Sequence, residues 1–280
     1  MNIGIIGLGL MGASFGRTVK SKTEDKVFGF DIDETVMLKA SLINCMDGEL
    51  NEETAKDVDL LIVSVYTRDF SKVVSNYLPY LKDGATVIDF CGNKVSVCKE
   101  MKQLSTNYPK VNFIGGHPMA GREFSGIDRS IKTLFDKASM LLIPVKCDIF
   151  TTEKIKKYFL SLGFDEVIFT DEETHDKTIA FTSQLCHVVS NAYIKSDTAK
   201  EHHGFSAGSY RDLTRVARLN AKMWSELMTD NSEKLEKELS ILIENLQKYK
   251  KALEKKDEKE LYILLEEGNK LKLEIDSGRK

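Results

Sequence analysis

Short apolar runs recur along the first part of the chain, each separated from the next by a stretch with helical periodicity. Several runs are apolar throughout, without the alternation of a half-exposed strand, so they predict strands covered on both faces. Strands that alternate with helices are joined by crossover connections and form a mainly parallel sheet. The predicted strands are Asn2 to Ile6, Lys26 to Asp31, Val58 to Val63, Thr86 to Asp89, Val111 to Ile114, Ser139 to Ile143 and Glu166 to Phe169.

The strand signal stops after about Glu172, and no proline follows. Long stretches with a helical period predict an all-α second domain, so we expect domains at residues 1–171 and 172–280. The segment from Ser232 to Leu253 carries leucines at steps of mostly three and four, and a charged turn separates it from Leu261 to Leu271. These two apolar stripes pack either on each other or on a second copy of the chain.

Composition excludes several classes of protein. The formal net charge is -3, which leaves no large basic surface for nucleic acid. The most apolar runs, such as Leu60 to Tyr66, are far shorter than the roughly 20 residues that span a bilayer, so no membrane partner is expected. The N-terminus lacks a basic region and a cleavage pattern, which predicts a cytoplasmic protein.

Neither the cysteines nor the histidines predict a metal site. The 5 cysteines are odd in number and lack paired C-x-x-C spacing, so reduced and mostly buried thiols are expected. His202 and His203 are adjacent and have no third ligand at metal spacing.

The segment Gly7-Leu8-Gly9-Leu10-Met11-Gly12 has the pattern G-x-G-x-x-G between the first predicted strand and a helical segment. In this context the first glycine permits a tight turn, the second lets a pyrophosphate approach the backbone and the third allows close packing of helix and strand. Asp31 ends the second predicted strand, where a carboxylate accepts ribose hydroxyls and repels a 2'-phosphate. The pattern predicts a Rossmann-type domain that binds NAD rather than NADP, with Asp33 as a weaker alternative for the ribose.

Candidate catalytic residues follow the later strands, because open α/β sheets bind ligands beyond the carboxyl ends of their strands. The segment from Gly115 to Gly126 contains four glycines, a proline and His117. An imidazole suits proton transfer near neutral pH, so His117 is the candidate general base, although a single loop histidine can also be structural. The segment from Asp89 to Lys94 follows the preceding strand.

Two helical segments carry further polar groups. Asp176, Ser183 and His187 fall within roughly 40° of one another on a regular helix and predict a stripe facing a polar cleft; the alternative is a solvated helix face. His175 lies roughly 120° from His187 and need not share its role. Arg215 can clamp a carboxylate in two hydrogen bonds, or can be a surface salt-bridge partner.

The chain resembles the prephenate/arogenate dehydrogenase family of tyrosine biosynthesis. The resemblance is carried by the glycine motif, Gly116 to Gly121 with Glu123, His175-Asp176, Ser183 to His187, and Asp212 to Ala217 with Trp224, in family order over essentially the whole chain. It implies NAD(P)-dependent oxidative decarboxylation of a cyclohexadienyl substrate by a nucleotide-binding domain joined to a helical dimerisation domain, and hence a homodimer.

The resemblance also implies roles for individual residues. His117 corresponds to the catalytic histidine, Arg215 to the arginine that pairs with a substrate carboxylate, and His187 to a second substrate-side histidine. Glu123, Asp176, Ser183 and Trp224 would line or gate the substrate pocket. The expected cofactor contacts are Gly7, Leu8, Gly9, Leu10, Met11, Gly12, Asp31, Ser64 and Asn93.

One position departs from the family pattern. Gly92 stands where many members have a serine hydroxyl, so Asn93 or a water would have to orient His117 instead. Prephenate is the expected substrate and arogenate the alternative. Two other hypotheses remain at this point: a β-hydroxyacid dehydrogenase with a catalytic lysine, and a dinucleotide-sensing regulator without enzyme activity.

Overall fold

The computed structural model describes residues 1–278, and the chain divides into two compact units, Met1–Asn231 and Ser232–Lys280. The first unit is built on one sheet of eight strands in the order β3-β2-β1-β4-β5-β6-β7-β8. The strands are β1 (Asn2–Ile6), β2 (Lys26–Phe30), β3 (Gly48–Glu49), β4 (Leu60–Val63), β5 (Thr86–Asp89), β6 (Asn112–Pro118), β7 (Ser139–Lys146) and β8 (Glu166–Phe169).

The strand order and directions confirm the predicted doubly wound α/β class. All neighbouring strands are parallel except β6 and β7, which are antiparallel. Every predicted strand is present, whereas β3, with only two residues, was missed. β6 also runs further than predicted, because pairing with β7 continues the ladder to Pro118. His117 therefore lies in a strand opposite Leu141, and not in the loop that was expected.

Helices cover both faces of the sheet, as the apolar strands require. One buried cluster contains Ile5, Phe15 and Phe159, and the other contains Ile6, Phe70 and Phe113, so successive residues of β1 point into different layers. The helices of this region are α1 (Leu10–Lys22), α2 (Glu34–Leu42), α3 (Glu52–Ala55), α4 (Phe70–Ser75), α5 (Val95–Asn107) and α6 (Ile149–Ser161).

The described residues after β8 form helices and turns, as predicted. These are α7 (Glu172–Ile179), a π-helical segment (Ala180–Leu185), α8 (Cys186–Tyr193), α9 (Gly208–Thr214), α10 (Ala221–Asp230), α11 (Ser232–Glu254) and α12 (Glu258–Ser277). Within residues 1–278, every helix is too short or too polar to cross a bilayer. The domain boundary at residue 171 stays a prediction.

The second unit is a helical hairpin. Lys256 adopts a positive φ of 53°, and the Asp257 side chain accepts a hydrogen bond from the backbone N–H of Glu260 to cap α12. The hydroxyl of Tyr249 donates to the carbonyl of Leu264 at 3.1 Å, so α11 packs on α12. Many apolar side chains of the hairpin nevertheless stay exposed, among them Leu246 at 57%, Leu253 at 61% and Leu265 at 62%. The packing of α11 on α12 therefore leaves these apolar side chains uncovered.

Candidate active site

A cavity of about 1280 Å³ opens at the carboxyl ends of the central strands, where a doubly wound sheet is expected to bind its ligand. Most of the predicted site residues line this cavity, and they come from both halves of the first unit. They are Gly7, Gly9, Leu10, Met11, Asp31, Ser64, His117, Glu123, Ser183, His187, Arg215 and Trp224. Leu8, Gly12, Asn93 and Asp176 are buried and do not line the cavity.

The glycine turn forms one end of the cavity. Gly7 has a φ of +88°, and a Cβ there would lie 2.3 Å from the carbonyl oxygen of Ser64. A Cβ at Gly12 would lie 1.9 Å from the carbonyl oxygen of Gly7, so this glycine permits the turn and helix to pack together. A Cβ at Gly9 would meet nothing within 4 Å. This open surface at the start of α1, with its free N–H groups, fits the pyrophosphate of a dinucleotide.

Asp31 lies at the cavity wall beside this turn. Its carboxylate accepts hydrogen bonds from the backbone N–H of Leu8 at 2.8 Å and of Asp33 at 3.1 Å, which fixes its orientation. Leu8 contributes its backbone to this arrangement, while its side chain is fully buried in the core. The carboxylate of Asp33 caps α2 by accepting from the N–H groups of Thr35 and Val36. Asp31 is therefore the acidic group available to a ribose.

His117 lines the cavity and belongs to a chain of hydrogen-bonded groups. Its Nδ1 lies 2.8 Å from Nε2 of His175, and Nδ1 of His175 lies 2.7 Å from Oδ1 of Asp176. The Asp176 carboxylate also accepts from the backbone N–H groups of Lys94 at 2.7 Å and Val95 at 2.9 Å, at the start of α5. The chain thus anchors the imidazole of His117 to a helix end behind the sheet.

Burial dominates the electrostatics of this chain. Burial, the neighbouring His175 and the Lys94 ammonium together hold the pKa of His117 well below its usual value of 6.5. Burial also lowers the pKa of His175, although Asp176 opposes this shift. For Asp176, burial is outweighed by the hydrogen bonds from His175, Val95 and Lys94, and the pKa is lowered. At neutral pH, His117 is therefore an uncharged base.

A buried ion pair lies behind the histidines. Lys94 and Asp89 are both fully buried, and the Lys94 ammonium contacts Oδ2 of Asp89. The Asp89 carboxylate also accepts from the backbone N–H groups of Cys91 at 2.9 Å and Gly116 at 3.0 Å. It thereby joins the end of β5 to β6 next to His117.

The far end of the cavity carries the groups expected to contact substrate. Nη1 of Arg215 lies 3.4 Å from Oε1 of Glu123, and the Arg215 side chain is 63% exposed. Nδ1 of His187 lies 3.1 Å from the carbonyl oxygen of Val216, and its ring packs on Trp224 with 3.8 Å between centroids. Burial lowers the pKa of His187, and Arg215 adds to this effect. This end of the cavity offers a cation and two polar rings.

Additional cations line the cavity. The guanidinium carbon of Arg129 lies 4.9 Å from the ring centroid of Phe124, and that of Arg218 lies 5.4 Å from the same centroid. Arg122 also lines the cavity and donates to the carbonyl of Arg129. This set of arginines was not predicted. Asp31, Asp69, Glu123 and Glu226 line the same cavity, so its lining combines basic and acidic side chains.

The expectation that Asn93 orients His117 is wrong. The Asn93 amide donates to the carbonyl of Leu227 at 2.8 Å and its carbonyl accepts from Gln184 at 3.1 Å, so Asn93 faces away from His117. Gly92 lines the cavity, and a Cβ there would lie 2.9 Å from Cδ2 of Leu227. The partner of His117 is His175. Its adjacency to Asp176 was the only feature of the sequence that could have indicated this role.

Asp176 does not share a face with Ser183 and His187. The expected stripe assumed a regular helix, whereas Ala180–Leu185 is π-helical. The wider turn changes the rotation per residue, so positions on either side of it lose the predicted alignment. Ser183 and His187 consequently reach the cavity, while Asp176 is only 2% exposed and binds His175 and the start of α5.

The part of the chain that the structure describes has no candidate metal-binding site. Residues 1–278 contain no group of three or more His, Cys, Asp or Glu side chains that could hold a metal ion. All five cysteines are free, and Cys45, Cys91 and Cys98 are buried.

Comparisons with known proteins agree with this geometry. A family model described as the nucleotide-binding domain of prephenate dehydrogenase matches residues 15–178, and one described as its dimerization domain matches residues 171–267. These matches confirm the predicted combination of a nucleotide-binding domain and a helical dimerisation domain.

Similar proteins extend over nearly the whole chain. The cyclohexadienyl dehydrogenase of Zymomonas mobilis is 30% identical, with 98% of this chain and 96% of that protein covered. The prephenate dehydrogenase of Lactococcus lactis is 29% identical, with 98% of this chain and 78% of that protein covered. A crystal structure of Aquifex aeolicus prephenate dehydrogenase with hydroxyphenyl propionate and NAD⁺ is 26% identical and superimposes with a TM-score of 0.84, covering 98% of both chains.

Proposed function

The chain belongs to the prephenate dehydrogenase family, and from this premise we propose that it catalyses the NAD-dependent oxidative decarboxylation of prephenate to 4-hydroxyphenylpyruvate in tyrosine biosynthesis. The observation that carries the proposal is the position of His117. It lines the same cavity as the glycine turn, Asp31 and Arg215. A base between a nucleotide site and a cation is the arrangement that this reaction needs.

His117 acts as the general base in this proposal. Its unprotonated nitrogen accepts the proton of the substrate C4 hydroxyl as the C4–H bond breaks, and general-base catalysis of this kind contributes about 10²- to 10⁴-fold. Bound NAD supplies the acceptor for the hydride. Loss of carbon dioxide from C1 then leaves an aromatic ring, which makes the reaction effectively irreversible.

Arg215, His187 and the neighbouring polar groups orient the substrate. The Arg215 guanidinium pairs with a carboxylate of the dianionic substrate, exchanging its long contact with Glu123 for charge-assisted hydrogen bonds. His187, held by the Val216 carbonyl and Trp224, contacts the substrate from the helical side with Ser183. Holding the substrate in this way supplies part of the rate through positioning.

NAD is the proposed cofactor. The turn at Gly7 and Gly9 and the start of α1 would hold its pyrophosphate, with Leu10, Met11 and Ser64 beside them at the cavity wall. The carboxylate of Asp31 would accept its ribose hydroxyls and repel the 2'-phosphate of NADP.

Arogenate is a second candidate substrate because of Glu123. Its carboxylate lies beside Arg215 at the cavity wall, where it could pair with the ammonium group that distinguishes arogenate from prephenate. The name cyclohexadienyl dehydrogenase of the Zymomonas mobilis relative fits both substrates.

A homodimer in the cytoplasm is the proposed form of the protein. The dimerization-domain match and the exposed apolar side chains of α11 and α12 support a dimer, since contiguous exposed apolar surface is typically covered by a partner. Light scattering at micromolar concentration should give twice the mass of the chain, and a monomer would refute this part of the proposal.

The test is the initial rate of reduced-cofactor formation, followed by absorbance, with prephenate and arogenate each combined with NAD and with NADP. We expect turnover with prephenate and NAD, and a loss of about 10²- to 10⁴-fold in kcat for His117→Asn. The control is His203→Asn, because His203 is exposed and lies outside the cavity. No turnover with any of the four pairs, or full activity of His117→Asn, would refute the proposal.

A further inference from the structure

We propose that His175 is a positioning residue that fixes the tautomer of His117, with the Asp176 carboxylate as its anchor. This inference rests on the proposed function, because it concerns the base of that reaction. It assigns a role to a buried pair that does not line the cavity and cannot touch substrate.

The contacts form a single line from the end of a helix to the cavity. Asp176 accepts from the backbone N–H groups of Lys94 and Val95 at 2.7 and 2.9 Å, and Nδ1 of His175 lies 2.7 Å from the same carboxylate. Nε2 of His175 lies 2.8 Å from Nδ1 of His117. His175 and Asp176 are each only 2% exposed, so water does not compete for these contacts.

The direction of each hydrogen bond follows from the anchor. An ionised carboxylate can only accept, so Nδ1 of His175 carries a proton and donates it to Asp176. A neutral His175 then has an unprotonated Nε2, which must accept from Nδ1–H of His117. The remaining nitrogen of His117, Nε2, is consequently unprotonated and is the basic atom left for the substrate hydroxyl.

The surrounding charges keep both rings neutral. The fully buried Lys94 ammonium disfavours an additional positive charge on either imidazole, and burial acts in the same direction. Asp89 is paired with this ammonium, and Asp176 is the carboxylate that contacts His175. A proton taken from substrate is therefore accommodated on His117 through its hydrogen bond to the neutral His175 and the negative Asp176 behind it.

The other groups that could orient His117 do not do so. Gly92 has no side chain that could form a hydrogen bond, and the amide of Asn93 is bonded to Leu227 and Gln184. Within the described residues, His175 is the side chain that contacts Nδ1 of His117. Orientation of the base thus depends on a residue 58 positions away in the chain.

Two substitutions of His175 separate its two hydrogen bonds. The amide of Gln reaches the position of Nε2, so His175→Gln keeps an acceptor for His117. The shorter amide of Asn reaches the position of Nδ1, so His175→Asn keeps the donor to Asp176 but removes that acceptor. We expect kcat of the dimeric enzyme to fall about 100-fold in His175→Asn and less than about tenfold in His175→Gln, with KM nearly unchanged in both.

The control for stability is Asn231→Ala. The Asn231 amide donates to the backbone carbonyl of Asp176 at 2.8 Å, so its loss loosens the same helix without touching either histidine. Asn231→Ala should lower the melting temperature and leave kcat within about twofold of the original chain. A merely structural His175 would instead make all three variants lose activity in proportion to their loss of stability.

The pH profile and the tautomer give readouts that a structural role would not change. Both variants remove the His175 ring, whose proximity lowers the pKa of His117, but only His175→Gln keeps an acceptor for Nδ1–H that stabilises the imidazolium. The acid limb of kcat/KM should therefore lie at lower pH in His175→Asn than in His175→Gln. In ¹⁵N-histidine NMR at pH 8, His117 should carry its proton on Nδ1 in the original chain and shift towards the Nε2–H form in His175→Asn. A resting Nε2–H tautomer, the same acid limb in the Gln and Asn variants, or equal losses of kcat in these two variants would overturn the proposal.

The NMR measurement needs no substrate and therefore separates this inference from the proposed function. If the original chain turns over neither prephenate nor arogenate, the proposed function fails. The tautomer of His117 still shows whether His175 accepts a hydrogen bond from its Nδ1–H. If His175→Asn does not fold, the activity of His175→Gln and the tautomer of His117 in the original chain test the role of His175.

Discussion

Lys94→Met should destabilise the protein far more than the loss of a surface lysine. Lys94 and Asp89 are both fully buried, so the substitution leaves a carboxylate without its counter-ion inside the protein. Removing one partner of a buried pair costs about 3–5 kcal/mol. Two backbone N–H groups, from Cys91 and Gly116, still bind the carboxylate, so we expect the lower end, about 3 kcal/mol. For a chain of this size the melting temperature should fall by roughly 6–12 °C.

The assay is urea unfolding followed by far-ultraviolet circular dichroism at fixed protein concentration. Lys94→Met/Asp89→Asn should recover part of the loss, because the amide carries no buried charge and its one oxygen can still accept one of the two backbone hydrogen bonds. Lys110→Met is the matched control: its ion pair with Asp83 has a similar geometry at 2.6 Å but is exposed, so the midpoint should not move. A cost below about 1 kcal/mol for Lys94→Met, or a double variant less stable than the single one, would refute the reasoning.

Three further outcomes are expected. Burial, His175 and Lys94 lower the pKa of His117, so the acid limb of kcat/KM should lie below pH 6.5. Lys94→Met should move this limb to higher pH, because the cation no longer disfavours the imidazolium. A pH–rate profile in which the acid limb stays in place would contradict this expectation. Asp31→Asn should reduce the preference for NAD over NADP about tenfold in cofactor titrations, since it removes one charge while keeping an acceptor for the turn. Arg215→Met should raise KM by about 10- to 100-fold with a smaller effect on kcat, and an unchanged KM would show that this guanidinium does not hold the substrate.

Local patterns in the sequence predicted the glycine turn and the position of Asp31, because their geometry depends on neighbours in the chain. The strand, turn and helix around Gly7 and Gly12 are consecutive, and the contacts that exclude a side chain at Gly12 are made with the same turn. Asp31 directly follows the next strand, whose last residue, Phe30, pairs with Ile6 of β1. Short-range spacing is enough to fix such an arrangement.

The helical side of the site was predicted less well because periodicity was extended through an irregular turn. The π-helical segment changes the phase between Asp176 and His187, and no simple signal in the composition of Ala180–Leu185 indicates it. The antiparallel pairing of β7 likewise extends β6 over His117, which depends on a strand more than twenty residues further along.

By itself, the sequence determined the alternation of strands and helices, the dinucleotide turn and the identity of the candidate base, because each of these depends on apolar period or on spacing within one short segment. Only the tertiary structure decided which group holds that base. His117, His175 and the start of α5 come from three separate segments, and they meet because β5 and β6 are neighbours in the sheet and α7 packs on α5. A hydrogen bond between such distant residues depends on the packing of whole elements, which no local pattern encodes.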